Sequence, residues 1–162
     1  MSLYLSTNPA FTLPTNPTDV AIIVGSATRI VKVFRIILNT SQSTLGFNVW
    51  QIIKRTSPNS GGTLVALSSV PYDSLDPAAT AVASAYTVNP TSLGAASGVC
   101  LRANICSPAN TSVTSDGVYV FDFANYPIIL RGTNESMSIN FGGAAKPTGL
   151  VADVTFIFDE AQ

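Results

Sequence analysis

The residue types that most often perform chemistry in proteins are sparse in this sequence. It contains no histidine, which is both the commonest general base and the commonest metal ligand. Catalytic sites of the Ser–His–Asp and Cys–His kinds are therefore excluded. Two cysteines without histidine cannot form a structural zinc site. We expect no catalytic residue, no bound metal and no cofactor, and therefore a protein that is not an enzyme.

Carboxylates are the remaining groups that could hold an ion. Asp73 lies close to Asp76 in sequence, and Asp159 precedes Glu160, so either pair offers the oxygen ligands that calcium needs. No D-x-D-x-D-G loop surrounds them. We interpret these carboxylates as a turn cap, a helix N-cap and a solvated C-terminus.

Two further sequence features are typical of a glycosidase site or a phosphate-binding loop. Asp122 and Glu135 could form the carboxylate pair of a glycosidase, but Glu135 follows a Gly–Thr–Asn stretch that is typical of a turn. Gly61 and Gly62 precede a predicted strand without the Lys–Ser/Thr of a phosphate loop. We assign none of these residues a role in chemistry.

The cysteines Cys100 and Cys106 fall in one predicted strand. An extended strand separates residues six positions apart by ~20 Å, which is too far for a disulfide. We expect two reduced, partly buried thiols.

Charged residues make up only 10% of the chain, against about 25% in a typical soluble domain. The surface must then consist of Ser, Thr, Asn and small apolar residues, which favours docking because little charge has to be desolvated. The eight basic residues form no stripe, so we expect no nucleic-acid partner. Met1–Leu5 lacks the features of a secretory signal, and no apolar run is long enough to cross a membrane. We expect a protein made in the cytoplasm, with no membrane partner.

Short runs of β-branched and aromatic residues, separated by Gly, Pro, Asn and Ser, indicate an all-β domain. About nine strands, packed as an antiparallel two-sheet sandwich of jelly-roll type, account for the pattern most simply. The predicted strands are Val20–Val24, Thr28–Asn39, Leu45–Arg55, Thr63–Ser69, Val99–Cys106, Val118–Phe123, Ile128–Arg131, Ser136–Phe141 and Val151–Phe158.

Three local predictions add detail to this fold. Thr28–Asn39 and Leu45–Arg55 are expected to form an antiparallel pair, and the last four strands are expected to form a β-meander. Asp76, as an N-cap, with Pro77 at the first helical position and alanines after it, allows at most one short helix near residues 77–85.

The first nineteen residues carry three prolines, Pro9, Pro14 and Pro17, which disfavour a helix and a regular central strand. We expect residues 1–19 to form an extended arm outside a β-sandwich domain of residues 20–162. The arm is too apolar for a solvated tail, so its side chains are expected to bury against a neighbouring subunit; the alternative is that the arm packs on its own domain. The predicted interface residues are Leu3, Tyr4, Leu5, Phe11 and Leu13.

Three stretches between residues 70 and 160 resemble a group of small virion proteins of tailed bacteriophages. They are D-P-A-A-T-A from Asp76 with A-Y-T-V-N-P-T from Ala85, L-R-G-T-N-E from Leu130, and S-I-N-F-G from Ser138 with the closing strand to Glu160. The resemblance implies a jelly roll that forms trimers on a capsid as a cement or decoration protein. The Ser/Asn-rich loop Ser107–Asp116 departs from that group, and the group offers no catalytic residue to transfer.

The leading hypothesis is therefore a non-enzymatic structural virion protein, a capsid cement or decoration subunit that acts as a homotrimer on the major capsid protein or another virion protein. The alternative is a carbohydrate- or receptor-binding β-sandwich, whose sugar would stack on exposed aromatic rings near the polar loop before Gly117. A head–tail or tail component is a third hypothesis. The aromatic candidates are Trp50, Tyr86, Tyr119 and Tyr126, of which Trp50 lies mid-strand and is expected in the core.

Overall fold

A computed structural model describes residues 2–43, 45–107 and 117–161 of the chain. These residues form twelve β-strands. The strands are β1 (Ser2–Thr12), β2 (Asp19–Val24), β3 (Ile30–Ser41), β4 (Gly46–Arg55), β5 (Thr63–Ala66), β6 (Ser69–Pro71), β7 (Val82–Val88), β8 (Ala96–Ser107), β9 (Gly117–Asp122), β10 (Ile128–Arg131), β11 (Ser136–Asn140) and β12 (Val151–Ala161). No helix able to cross a membrane occurs in this part of the chain.

The strands form two six-stranded antiparallel sheets. Sheet A has the order β10-β3-β12-β1-β6, and β9 pairs with β3 beyond the end of β10. Sheet B has the order β5-β7-β2-β11-β4-β8. The predicted all-β, two-sheet antiparallel sandwich is confirmed, while its jelly-roll connectivity stays a prediction.

The core lies between the two sheets because apolar residues alternate along the long strands. In β12, Ala152, Val154, Phe156 and Phe158 are buried, whereas the residues between them as far as Ile157 are only half-buried. This period of two is that of a strand with one face toward the core. Trp50 is fully buried, as expected, and its ring contacts that of Phe141 edge-on, with the ring centroids 5.0 Å apart. The core also contains Val31, Val33, Ile36, Leu38, Ile52, Phe121, Leu130, Met137 and Ile139.

Residues 77–85 form no helix. The segment up to Thr80 has no regular structure, and Val82–Val88 is strand β7, which pairs with β2 and β5. The carboxylate of Glu160 accepts hydrogen bonds from the backbone N–H groups of Thr80 (2.7 Å) and Ala81 (2.6 Å). The side chain of Glu160 therefore satisfies these backbone donors while the segment is extended. Pairing of β7 within the sheet outweighs the helix propensity of the alanines.

Two predicted strand pairings are wrong. β3 belongs to sheet A and β4 to sheet B, so the connection between them crosses from one sheet to the other. The last four strands do not form a meander either, since β9 and β10 both pair with β3, β11 pairs with β2 and β4, and β12 pairs with β1 and β3. The predicted strands form, but their partners lie far away in sequence.

The first residues also differ from the expected arm, because Ser2–Thr12 is a strand inside sheet A, between β12 and β6. The register shifts between Asn8 and Phe11, so Pro9 falls at a bulge, where a residue without an N–H is tolerated. The prolines Pro14 and Pro17 come after the strand has ended.

Tyr4 links this first strand to the core of its own chain. Its side chain is fully buried, its ring stacks on Phe158 at 5.4 Å, and its hydroxyl donates to the Pro77 carbonyl at 2.9 Å. The first strand therefore contributes to the stability of the sandwich, as the alternative for the arm stated.

We predict that Tyr4→Ala lowers the free energy of unfolding by about 3–5 kcal/mol, because it removes a buried aromatic ring from the core. Urea denaturation followed by circular dichroism measures this change. Thr7→Ala is the matched control on the same strand, since Thr7 is exposed and its loss is expected within about 0.5 kcal/mol. Equal stability of the two variants would show that β1 is not part of the folding unit.

Candidate binding surfaces

A buried ion pair lies on the outer side of sheet B. The Asp19 carboxylate accepts hydrogen bonds from Arg55 Nε (2.7 Å) and Nη2 (2.8 Å), in a two-pronged contact. It also accepts from Asn140 Nδ2 (2.7 Å) and Asn59 Nδ2 (2.8 Å). Both charged side chains are almost fully buried. The four contacts satisfy a carboxylate that would otherwise be costly to bury.

The same cluster holds two loops onto the sheet. Arg55 Nη1 donates to the Gly94 carbonyl at 2.7 Å, and the Gly94 N–H donates to Asn59 Oδ1 at 2.8 Å. A Cβ at Gly94 would lie 1.9 Å from the Ser57 carbonyl oxygen, so only glycine permits this approach. The loops that follow β4 and β7 are thereby fixed over the outer face of sheet B.

A cavity of about 170 Å³ lies beside this cluster, between the loop that follows β4 and the turn before β11. Tyr86 is the one ionisable residue that lines it, and burial raises the pKa of its hydroxyl further. The lining therefore offers neutral hydrogen-bonding groups over an apolar floor. The lining residues are Ile22, Val24, Pro58, Asn59, Leu64, Val82, Ser84, Tyr86, Thr133, Asn134 and Ser136.

The outer side of sheet A carries an apolar surface, which we call the A face. Leu5 pairs with Ile157 on one side and with Val70 on the other, and Ile37 pairs with Val120. Cross-strand neighbours share a face of the sheet, and Val70 is 57% and Val120 45% exposed. The A face consists of Leu3, Leu5, Ile37, Val70, Val118, Val120 and Ile157. Thr155 and Arg35 lie between its two apolar groups, beside Ile37 and Ile157 in register.

Asp159 is an unusual member of the same side of sheet A. In register it lies between Leu3 of β1 and Lys32 of β3. It is fully buried, and neither carboxylate oxygen has a hydrogen-bond partner among the described residues. Burial raises the pKa of Asp159, and the charge of Lys32 lowers it only in part. The Asp159 carboxylate therefore lacks the hydrogen bonds that compensate the Asp19 carboxylate for its burial.

The predicted interface residues divide between two locations. Tyr4 and Leu13 belong to the protein's own core, which leaves them no exposed surface for a partner. Phe11 is half-buried and packs against that core. Leu3 and Leu5 are half-buried on the A face, and for these two an interface role stays a prediction.

The carboxylates considered for an ion do not form a ligand group among the described residues. Asp73 and Asp76 lie in one turn, in which the Asp76 N–H donates to the Asp73 carbonyl. Asp159 and Glu160 are buried, not solvated as expected, and they point to opposite faces of β12, as successive strand residues do. Asp73 accepts a hydrogen bond from the backbone N–H of Leu75, as a turn residue. The described residues contain no group of three or more ligands that could hold a metal ion.

The carboxylates considered for hydrolysis are each engaged by a basic side chain. Asp122 lies 2.7 Å from Arg35, and Glu135 lies 3.1 Å from Lys54. Hydrogen bonding, from the Ala124 N–H and from Arg35, lowers the pKa of Asp122.

The remaining candidates lie on the surface or in the core. Tyr126 is 88% and Tyr119 37% exposed, whereas Trp50 and Tyr86 are buried. Cys100 and Cys106 are free, as expected, but exposed rather than partly buried, because β8 is an edge strand. Most of the polar loop expected to accompany a sugar site, residues 108–116, lies outside the described residues.

Sequence reasoning missed the Asp19–Arg55 pair. In the sequence, Asp19 ends the predicted arm and Arg55 ends the predicted strand Leu45–Arg55, and neither position marks them as partners. The available signal was that both charges directly adjoin apolar strands in a chain with few charges.

Comparison with protein-family models, curated proteins and solved structures gives no match.

Asp19→Asn and Asp159→Asn are predicted to change stability in opposite directions at pH 7. Burial alone would raise the pKa of Asp19, but hydrogen bonds from Arg55, Asn140 and Asn59 lower it overall. Asp19→Asn leaves Arg55 buried without its counter-charge, so a loss of about 3–5 kcal/mol is expected. Asp159→Asn removes an unpaired buried charge, so a higher free energy of unfolding is expected.

The pH dependence of the two effects follows from the pKa shifts. The lowered pKa of Asp19 contributes stability above the ordinary aspartate pKa, and this is lost as the pH falls through the folded value. The raised pKa of Asp159 costs stability as the pH rises from the ordinary value through the folded one. Urea denaturation at pH 7, 5 and 3 tests both; variants that change stability in the same direction at pH 7 would contradict the assignment.

Proposed function

We propose that the protein is a non-enzymatic structural subunit of a virion, a capsid cement or decoration protein that stabilises a phage head. It docks on the major capsid protein or another virion protein and assembles as a homotrimer, after synthesis in the host cytoplasm. The observation that carries this proposal is the A face, a set of apolar side chains on the outer side of one sheet in a chain that has few charges.

The A face has the properties of a docking surface. Its side chains come from β1, β3, β6, β9 and β12, all hydrogen-bonded in one sheet, so it is presented on a rigid support. Rigid surfaces lose little conformational entropy on binding. Interface cores are depleted in charge, and the ion pair of Arg35 with Asp122 lies among the residues of the A face, beside Ile157 in register and two positions from Ile37 and Val120. The two charges neutralise each other within the sheet.

The resemblance of residues 70–160 to tailed-phage virion proteins supports the same proposal from the sequence. The shared stretch beginning at Asp76 leads into β7, and the closing stretch is β12, so the similarity spans both sheets.

A carbohydrate- or receptor-binding module is the second candidate, and the cavity beside Asn59 and Tyr86 favours it. Neutral hydrogen-bonding groups over an apolar floor suit a small neutral ligand such as a sugar. A glycan array distinguishes the two functions: a cement protein binds none of the glycans, whereas a receptor-binding module binds a defined set and loses that binding in Asn134→Trp, which fills the cavity mouth. A head–tail component would instead form rings of six or twelve subunits.

We predict that Val120→Lys weakens self-association and shell binding at least tenfold, because it places a charge within the A face that association would have to desolvate. Val88→Lys is the matched control, since Val88 is 55% exposed and Val120 45% exposed, on different sheets. Light scattering coupled to size-exclusion chromatography measures the mass in solution, and co-sedimentation with phage heads measures shell binding.

Three outcomes decide the proposal. A wild-type trimer that Val120→Lys dissociates, with Val88→Lys unchanged, supports it. A wild-type monomer without affinity for heads overturns it. Equal effects of the two lysines would show that the A face is not the docking surface.

A further inference from the structure

Strand β8 is the last strand of sheet B and, among the described strands, has a hydrogen-bonded neighbour on one side only. It runs for twelve residues, Ala96–Ser107, and pairs with β4 alone among the described strands. From Leu101 to Ser107 the pairing with β4 is regular, and the two register shifts fall before it. This segment therefore offers a straight row of backbone hydrogen-bonding groups.

The devices that usually protect a sheet edge are nearly missing from this segment. Natural edges are short, interrupted by proline or bulges, or rich in charge, especially lysine. Between Cys100 and Cys106 there is a single charge, Arg102, and no proline. An unprotected edge of this length is suited to pairing with another strand.

The side chains of this segment suit a second copy of themselves. Arg102, Asn104 and Cys106 are exposed on the outer face, while Leu101, Ala103 and Ile105 lie toward the core. In an antiparallel pair, directly opposite side chains must lie on the same face of the sheet. The twofold axis that relates the two copies must therefore pass between one residue and the same residue of the second copy. An axis at Arg102 would place two arginines opposite each other, which is unfavourable.

An axis at Ala103 removes that conflict. Arg102 then faces Asn104 of the second copy, and Leu101 faces Ile105 of the second copy. Each of these pairs occurs twice, by symmetry, and the two small Ala103 side chains meet at the axis. Leu101, which is half-buried at the margin of the core, would be covered further, whereas Ile105 already belongs to the core.

We propose that β8 is a twofold self-association site, at which two copies of the chain pair antiparallel about Ala103 and continue sheet B from one molecule into the next. This contact goes beyond the A face and does not depend on it. It would connect subunits, or trimers, along a different direction.

Cys100 lies at the register shift between Leu101 and Val99, one residue beyond the regular segment. Continued to that residue, the same register brings Cys100 opposite Cys106 of the second copy, twice. Directly opposite residues in antiparallel strands have Cα atoms about 4.5–5.5 Å apart, which is within the range of a disulfide. Both thiols are free and exposed, so the cysteines report the register. With diamide as oxidant, each disulfide releases two electrons and two protons, which reduce one diamide to its hydrazine.

The test uses Cys100→Ser and Cys106→Ser, alone and mixed, with diamide and non-reducing gel electrophoresis. In the proposed register each variant alone faces its thiol with a serine, so neither cross-links efficiently. The mixture restores one thiol pair and forms a dimer at least tenfold faster than either variant alone. Equal cross-linking of a single variant, or none in the wild type and the mixture, would overturn the register.

A second measurement examines the pairing without oxidation. Asn104→Arg places two arginine pairs across the contact, and like charges directly opposite each other are expected to weaken dimerisation roughly tenfold. Ser97→Arg, exposed on the same strand but outside the paired segment, is the control and should leave it unchanged. Sedimentation velocity on reduced protein that already carries Val120→Lys isolates this contact. A dimer unaffected by Asn104→Arg would refute the proposal, and failure of the A face would leave it intact.

Discussion

The buried contact between Asp19 and Arg55 is the interaction on which the outer side of sheet B depends. Asp19 begins β2 and Arg55 ends β4, and β11 lies between these strands and supplies Asn140. Arg55 and Asn59 then hold Gly94 and its loop. One carboxylate with four donors thus fixes three strands and two loops, and the first of these loops supplies Pro58 and Asn59 to the wall of the cavity.

The sequence was sufficient to predict local structure and insufficient to predict pairing. The period of two in Val151–Phe158 predicts β12 because the burial of one face of a strand produces an alternation that is visible in neighbouring residues. The pairing partners of β3 and β4 cannot be predicted in this way, since a short connection is compatible both with a hairpin and with a crossing between sheets. Pro9 disfavours a regular strand in the sequence. The bulge that accommodates it depends on pairing with β12, which the local sequence does not reveal. The Asp19–Arg55 contact joins residues that are distant in sequence, so spacing alone could not reveal it.

The two sheets use their outer faces differently. Sheet B carries two loops that the Asp19–Arg55 pair holds over its outer side, although Leu64, Val65, Val82 and Val88 of its strands stay exposed. On sheet A, the apolar side chains of the A face share their side of the sheet with the Arg35–Asp122 pair and with Asp159, whose carboxylate has no hydrogen-bond partner among the described residues.

The pairing of Ser2 with Glu160 and of Leu3 with Asp159 joins residues that are far apart in sequence in the middle of sheet A. During synthesis β1 emerges from the ribosome well before β12, its main partner. Sheet A therefore cannot close until β12 has also emerged, and the side of β1 that pairs with β12 stays unpaired until then. Strongly non-local pairing of this kind slows folding and exposes the nascent chain to aggregation. Expression at reduced temperature or with chaperones should consequently matter more for this protein than its modest size suggests.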